Sequence, residues 1–287
     1  MRAYQPATSI DVRLGDRDYD LTHYALVMGI LNRTKDSFFA PAATFGLDDL
    51  YARAEQLVAD GADLLDVGGV KAGPGDEVSE AEELDRVVPV IEELHRRFDV
   101  PLSVDTWRAS VAGACFAVGA VVGNDISGFA DPAYLPTAAA AKATVVATHI
   151  RLRPRVADPS PHYDDVTATV RAFLLDRRDR ALAAGVAADR IIIDAGLDLG
   201  KTAGQSLQLL RDSATLAEIG SPLLLSASNK TFLGVMFDLP VTERREASLA
   251  AASLGIIGGC RILRVHDVRG TVRVRDALEA LFEARDE

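Results

Sequence analysis

The sequence ALVMGILNRTKDSF, residues 25–38, joins seven non-polar residues directly to a polar segment that begins at Asn32. Residues 25–31 show no alternation of polar and apolar side chains, which predicts a strand covered on both faces, as in a parallel sheet flanked by helices. The polar segment follows at the strand end where parallel α/β barrels bind their ligands. An ordinary strand-to-helix loop explains this segment equally well, so the rest of the chain has to decide.

The composition is that of a globular chain with a large core and an acidic surface. The 287 residues are 48% hydrophobic, which fits one barrel-sized domain over residues 1–287. A formal net charge of −11 argues against nucleic acid or an anionic membrane as the main partner. No apolar run approaches the roughly 20 residues that span a bilayer, and the first residues do not show a basic region followed by an apolar core. We therefore expect a cytoplasmic protein, in which Cys115 and Cys260 are small, reduced, buried side chains.

Short apolar runs alternate with longer amphipathic or alanine-rich segments from residue 25 onward, which is the pattern of repeated strand–helix units. The predicted strands are 25–31, 64–67, 101–104, 121–124, 144–148, 190–194, 222–227 and 262–265. The predicted helices are 47–59, 80–97, 108–118, 134–141, 166–184, 205–218, 242–254 and 271–284. Eight such units predict a (β/α)8 TIM barrel. Residues 1–24 are predicted to precede it as a short β-hairpin that plugs the bottom of the barrel.

Polar residues occur at every predicted strand end, and in a barrel these ends meet at one mouth. They are Asn32, Asp66, Asp105, Asn124, Asp125, His149, Asp194, Ser228, Lys230, Arg264, His266 and Asp267. A single aspartate after a strand is more often a helix cap than a ligand contact. The repetition at all eight strands predicts a ligand site.

These residues divide into two kinds of chemistry. Carboxylate and amide groups, with one lysine, suit a flat heterocycle that carries several N–H donors, and they are Asp105, Asn124, Asp194 and Lys230. Arg264 and His266 lie two apart on one strand and suit an anion such as diphosphate, which Asn32 and the cationic Arg33/Lys35 loop would help to cover. A solvated loop lysine at Lys230 and a core histidine at His266 are equally good explanations of each residue taken alone.

Seven motifs in this order resemble those of the dihydropteroate synthase family, over nearly the whole chain. They are MGILNRTKDSF (28–38), DVGGVKAGPG (66–75), SVDTWRASVA (103–112), NDISG (124–128), DAGLDLGK (194–201), SASNKTFLG (226–234) and RVHDV (264–268). Each falls at a predicted strand end, which makes the combination specific.

The resemblance implies that the chain joins 6-hydroxymethyl-7,8-dihydropterin diphosphate to 4-aminobenzoate or a related arylamine, and releases diphosphate in folate biosynthesis. Four residues would bind the pterin: Asp105, Asn124, Asp194 and Lys230. Three would bind the diphosphate: Asn32, Arg264 and His266. Asn32 would also bind Mg²⁺. Together with Lys230, these three would form the catalytic set. Three would lie on the acceptor side: Lys71, Ser228 and Thr231. Family members are commonly homodimers, and we expect a homodimer here.

The departures from the family pattern are concentrated on the acceptor side. The second-loop sequence E-S-T-R is replaced by residues 70–73, VKAG, and the loop after the fifth strand carries IRLRPR at residues 150–155. Asn229 replaces an arginine, Ala195 and Asp198 replace a proline and a glycine, and Arg33 and Lys35 add charge to the first loop. This pattern resembles a second, divergent paralogue of the synthase found in actinobacteria.

Two functions therefore stay open, namely a working synthase and a pterin-binding paralogue without the standard activity. A methyltransferase that acts on methyl-tetrahydrofolate is disfavoured, because the Arg264/His266 pair is kept. A barrel aldolase with Lys230 as its Schiff-base lysine is a further alternative from the residue types alone.

Overall fold

The predicted barrel strands are present and form a closed parallel barrel. The computed structural model describes residues 9–33 and 47–283. After a hairpin of β1 (Asp11–Leu14) and β2 (Arg17–Asp20), the barrel strands are β3 (Leu26–Asn32), β4 (Leu64–Gly68), β5 (Leu102–Asp105), β6 (Val122–Asp125), β7 (Thr144–Thr148), β8 (Ile191–Asp194), β9 (Leu223–Leu225) and β10 (Cys260–Val265). Each strand pairs with the next, and β10 pairs with β3 to close the barrel.

Helices cover the outer face of the barrel. They are α1 (Leu47–Ala59), α2 (Glu80–Arg97), α3 (Ala109–Ala117), α4 (Tyr134–Ala140), α5 (Val166–Ala183), α6 (Ala203–Arg211), α7 (Ser213–Ala217), α8 (Thr231–Phe237), α9 (Arg245–Ile257) and α10 (Val268–Glu283). In α2, Ser79 caps the first turn by accepting from the Glu82 amide at 3.1 Å, and acidic residues begin the helix while basic ones end it. No helix in the described ranges is long and apolar enough to cross a bilayer.

The N-terminal hairpin closes the bottom of the barrel, as predicted. Val12 and Leu14 are buried in one cluster with Met28, Leu64 and other residues that point into the barrel. The alternating burial of β1 explains this, because every second side chain faces the barrel interior. The opposite, C-terminal end of the barrel is left for the polar strand ends.

The structure differs from the prediction in two helical regions. The helix predicted over 205–218 is divided into α6 and α7 at Asp212, whose backbone is not helical and whose carboxylate accepts a hydrogen bond from the Thr167 hydroxyl at 2.7 Å. Helix α8 was not predicted. Its first amides are capped by a residue from another loop, described below, so its own sequence carries no N-cap signal. Both differences arise from contacts distant in sequence.

Candidate active site

Arg264 lies among the carboxylates at the centre of the barrel mouth. Its Nε donates to Asp66 Oδ2 at 2.6 Å, and its Nη2 donates to Asp105 Oδ2 at 2.8 Å. Asp66 also accepts from the Ser103 hydroxyl at 2.5 Å and from the Asn124 amide at 3.2 Å. Strand register explains the convergence, because Asp105 pairs with both Gly68 of β4 and Asn124 of β6.

The charges of this cluster are strongly coupled. Burial, with a smaller contribution from the neighbouring Asp66 carboxylate, raises the pKa of Asp105 to about 7 against the opposing effect of Arg264. Burial alone would lower the pKa of Arg264, but Asp66 and Asp105 more than offset this, so it is raised. The guanidinium therefore stays charged, while Asp105 is able to exchange a proton near neutral pH.

Asp194 and Lys230 lie on the opposite side of the mouth. Asp194, at the end of β8, accepts from the Gly196 amide at 2.8 Å, and burial raises its pKa. Lys230, just before α8, donates to the Leu197 carbonyl at 3.1 Å. Burial lowers the pKa of Lys230, and the nearby Asp198 and Asp194 carboxylates oppose that shift. The structure thus places all four predicted pterin-binding residues at the barrel mouth, with Asp105 and Asn124 on adjacent strands.

His266 and Ser228 form a pair beside Arg264. The Ser228 hydroxyl lies 3.0 Å from His266 Nδ1 and accepts from the His266 amide at 3.2 Å. The hydroxyl and Nδ1 share one hydrogen bond, whose direction is set by the tautomer of the imidazole. Burial, together with Arg264 and Arg53, lowers the pKa of His266 to about 4. The imidazole is therefore neutral at neutral pH.

The residue that sequence reasoning missed is Lys201, the last residue of the motif DAGLDLGK. It is buried, lies 2.9 Å from His149 Nδ1, and donates to the carbonyls of Gly196 and Leu199 at 2.7 and 3.1 Å. Burial lowers the pKa of Lys201 to about 7, and burial with the Lys201 charge lowers the pKa of His149 to about 3. Lys201 holds the loop after β8, which in turn positions Leu197 and Asp198 against Lys230.

The buried His149 predicts a specific pH dependence of stability. Its pKa is lowered from 6.5 to about 3. Below pH 6.5, the unfolded chain therefore binds a proton at this histidine, whereas the folded chain leaves it neutral. The stability that the neutral His149 contributes is therefore fully present above pH 6.5 and is lost as the pH falls below that value. Between pH 6.5 and 5, wild type should lose about 2 kcal/mol more unfolding free energy than His149→Gln, at about 1.4 kcal/mol per pH unit. Urea unfolding measures this, and His162→Gln, at an exposed site, is the control.

Gly196 is predicted to tolerate no side chain. Its φ is +65°, and an added Cβ would overlap the carbonyl oxygen of His149, whereas Gly185 has φ +91° with nothing near an added Cβ. Both alanine variants carry the strain of a positive φ, but only Gly196→Ala adds a clash with backbone. We expect Gly196→Ala to cost about 2 kcal/mol more than Gly185→Ala in chemical unfolding. Equal costs would contradict the placement of the loop after β8.

The comparisons with known proteins agree with this geometry. The pterin binding enzyme family matches residues 28–266. The chain is 39% identical to dihydropteroate synthase of Bacillus subtilis over 259 residues, which cover 90% of this chain and 88% of that protein. The chain belongs to the dihydropteroate synthase family.

Other members of the dihydropteroate synthase family refine this placement. The structure is similar to that of Yersinia pestis dihydropteroate synthase, solved with a sulfonamide drug complex. The two superimpose with a TM-score of 0.90 and 37% sequence identity, over 96% of this chain and 100% of that one. The chain is 42% identical, over 91% of its length and 84% of theirs, to a Mycobacterium tuberculosis H37Rv protein named inactive dihydropteroate synthase 2. The resemblance to the divergent paralogue is confirmed.

The departures from the dihydropteroate synthase motifs have structural consequences. Asp198, in place of a glycine, keeps the left-handed conformation with φ +67°. Its carboxylate accepts from the Thr231 amide at 2.5 Å and the Phe232 amide at 3.2 Å, and so caps α8, whose own N-cap residue Lys230 provides no side-chain cap. The cap couples the loop after β8 to the turn that carries Lys230 and offsets the strain at Asp198.

The Arg33 side chain contacts helix α2. Its Nη1 donates to the carbonyls of Asp85 and Arg86 in α2 at 3.1 and 2.7 Å. Pro89 has no amide hydrogen, so the Asp85 carbonyl lacks its usual helical partner and Arg33 supplies one. Lys35, with Thr34, Asp36 and Ser37, falls outside the described residues.

The three predicted acceptor-side residues lie on different elements. Lys71 is exposed in the loop after β4, and Thr231 begins α8 beneath Asp198. Ser228 instead contacts His266, one of the residues predicted to bind the diphosphate. The acceptor side is therefore less well defined by the sequence motifs than the pterin side.

The predicted metal ligand, Asn32, is exposed at the end of β3, where it pairs with Gly68. Within residues 9–33 and 47–283, no group of three or more His, Cys, Asp or Glu residues is arranged to hold a metal. An amide oxygen still fits Mg²⁺, which commonly takes one or two protein ligands and completes its shell with phosphate and water. The residues present thus fit a metal that arrives with a diphosphate.

Proposed function

We propose that this protein binds 6-hydroxymethyl-7,8-dihydropterin diphosphate with Mg²⁺ and transfers the pterin to 4-aminobenzoate or a related arylamine. The observation that carries the proposal is the convergence of the pterin-binding set at one mouth: Asp105, Asn124, Asp194 and Lys230. Carboxylate and amide oxygens match the ring N–H and amino donors of a pterin, and a lysine matches its carbonyl or ring nitrogen.

The diphosphate would lie toward Arg264, His266 and Asn32. Arg264 is a permanently charged donor, and neutral His266 offers an N–H, so both are suited to an anion. Mg²⁺ would neutralise part of the charge that develops on the departing diphosphate. Loss of that group leaves an electron-poor methylene carbon, which the amine attacks, so these residues bind, orient and stabilise charge, and no protein nucleophile is needed.

A pterin-binding role without turnover is the second candidate. It is favoured by the 42% identity to the relatives named inactive, and by the second loop, where VKAG replaces the family sequence E-S-T-R. The two candidates share the pterin site and differ in whether an acceptor is used.

Two measurements distinguish these functions. Calorimetry with a dihydropterin tests the shared pterin site, and diphosphate release in the presence of Mg²⁺, pterin diphosphate and 4-aminobenzoate tests turnover. Binding with release supports the synthase, and binding without release supports the second candidate. Absence of both would overturn the proposed function.

We also propose a cytoplasmic homodimer. A patch of large apolar residues is exposed around the end of α8, with exposed fractions of 66% for Val235, 59% for Phe237 and 56% for Val241. Large exposed apolar residues grouped at one helix end are a feature of interaction surfaces. Cys115 and Cys260 are free and buried, which suits a reducing compartment.

The proposed dimer is tested by analytical ultracentrifugation. Phe237→Glu places a charge in the apolar patch and should raise the dimer dissociation constant by about 100-fold, a loss typical of a central interface residue. Leu281→Glu, at an exposed residue of α10, is the control. Monomeric wild type, or an unchanged dimer in Phe237→Glu, would contradict the proposal.

A further inference from the structure

The loop after β7, residues 149–165, contacts the loop after β4, residues 69–79, through Arg155. These are called the fifth loop and the second loop. The Arg155 amide donates to the Ala72 carbonyl at 2.9 Å, its Nη1 donates to the Lys71 carbonyl at 3.1 Å, and its Nη2 donates to the Asp76 carbonyl. One residue therefore holds three points of the second loop.

The backbone at this contact is specialised on both sides. Arg155 has φ +67°, a conformation that is unfavourable for a side chain with a Cβ and that persists where surrounding contacts fix it. On the second loop, a Cβ added at Gly75 would lie 3.0 Å from Arg155 Nη2, so the glycine allows the guanidinium to approach the backbone closely. Gly75 and Arg155 thus form one fitted contact.

The fifth loop also contacts the loop after β8. The Tyr163 hydroxyl donates to the Gly200 carbonyl at 2.8 Å, while an ion pair of Arg151 with Asp158 at 2.7 Å lies within the fifth loop itself. The second loop is thereby connected, through Arg155, to a loop that borders the Lys230 side of the mouth. All three acceptors of Arg155 are main-chain carbonyls, so the contact depends on the conformation of the second loop rather than on its side chains.

We propose that Arg155 is a positioning residue that fixes the second loop and thereby determines how the acceptor amine is admitted. This inference rests on the proposed function for the identity of the acceptor, but the contact itself is independent of it. It joins two departures from the family motifs, the second-loop sequence VKAG and the fifth-loop sequence IRLRPR, into a single structural unit. The pterin-binding residues are not part of this contact.

Proteolysis tests the contact without any ligand. Trypsin cleavage after the exposed Lys71 requires the second loop to open, and its rate is followed by mass spectrometry. Arg155→Ala should accelerate this cleavage by about tenfold or more, the factor expected for losing hydrogen bonds to a charged group.

Two further variants serve as controls. Arg153→Ala, an equal change of charge on an exposed residue of the same loop, should leave the rate unchanged. Arg155→Lys, which keeps the charge but loses the planar fork, should resemble Arg155→Ala. Equal rates in Arg155→Ala and Arg153→Ala would overturn the contact.

Ligand measurements then test the positioning role. In Arg155→Ala, the KM for 4-aminobenzoate should change by about tenfold or more. If no turnover occurs, the same change is expected in the dissociation constant of 4-aminobenzoate from the pterin-loaded protein. The affinity for the pterin and the Tm should stay near wild type. An acceptor constant equal to that of Arg153→Ala, or no acceptor binding in any variant, would overturn the positioning role. A wild type that binds no pterin counts against the proposed function, while the cleavage rates still decide the contact.

Discussion

Replacement of Arg264 by leucine is expected to destabilise the folded chain by about 3–5 kcal/mol, the range measured when one partner of a buried ion pair is removed. Arg264 is the cation shared by Asp66 and Asp105, at 2.6 and 2.8 Å. Asp66 is completely buried, so without the guanidinium its carboxylate would lie beside Asp105 with no cation to compensate it. Urea unfolding at neutral pH measures the loss.

The pH dependence provides a second readout for Arg264→Leu. The pKa of Asp105 is about 7 even beside Arg264, and removal of the cation raises it further. The folded variant would then hold a proton that the unfolded chain releases, so its stability should fall more steeply than that of wild type as the pH rises from 7 to 9.

The matched control removes the anions together with the cation. Arg264→Leu combined with Asp66→Asn and Asp105→Asn should recover most of the lost stability, because no uncompensated charge stays buried. A loss below about 1 kcal/mol for Arg264→Leu alone, as for an exposed ion pair, would show that water reaches this cluster freely.

Asp194→Asn is expected to weaken dihydropterin binding by roughly 10- to 100-fold, the cost of losing hydrogen bonds to a charged group. The carboxylate offers acceptors on both oxygens, one of which already accepts from the Gly196 amide. Asparagine can keep that bond but turns an N–H₂ donor toward the donors of the pterin. Calorimetry with a dihydropterin gives the affinity directly.

Asp125→Asn is the control for a buried strand-end carboxylate. Both Asp125 oxygens accept from nearby amides, Ser127 at 2.6 Å and Phe129 at 2.9 Å. This carboxylate therefore shapes the turn after β6, and its replacement should lower the Tm while pterin affinity stays within about twofold, since no ligand contact is lost. Equal losses of affinity in both variants would show a general disturbance of the mouth.

Periodic features of the sequence were sufficient to predict the barrel. Continuous apolar runs identified the strands, and the bounds predicted for α1 and α2 agree with the structure because both helices have regular apolar spacing and clear first turns. The same reasoning placed polar groups at one mouth, since parallel strands end on one side. Asp105, Asn124, Asp194 and Arg264 are brought together as that rule requires.

What the sequence did not predict depends on contacts between distant segments. Arg33 satisfies a carbonyl freed by Pro89, Asp198 caps α8, and Arg155 reaches the second loop, each across tens of residues. Periodicity carries no information about such pairs. Lys201 was detectable in principle, because a lysine that ends a glycine-rich strand-end motif is a candidate for a buried cation. Its partner His149, however, is identified only by the fold.

The hairpin at the bottom of the barrel has a consequence for the order of folding. Val12 and Leu14 pack against side chains from strands as far apart in sequence as β3 and β10. The hairpin thus has no complete binding surface until β10, more than 200 residues further along the sequence, has been synthesised. Contacts of such long sequence separation form late and slowly, so we expect the hairpin to dock as a terminal folding event that seals the closed barrel.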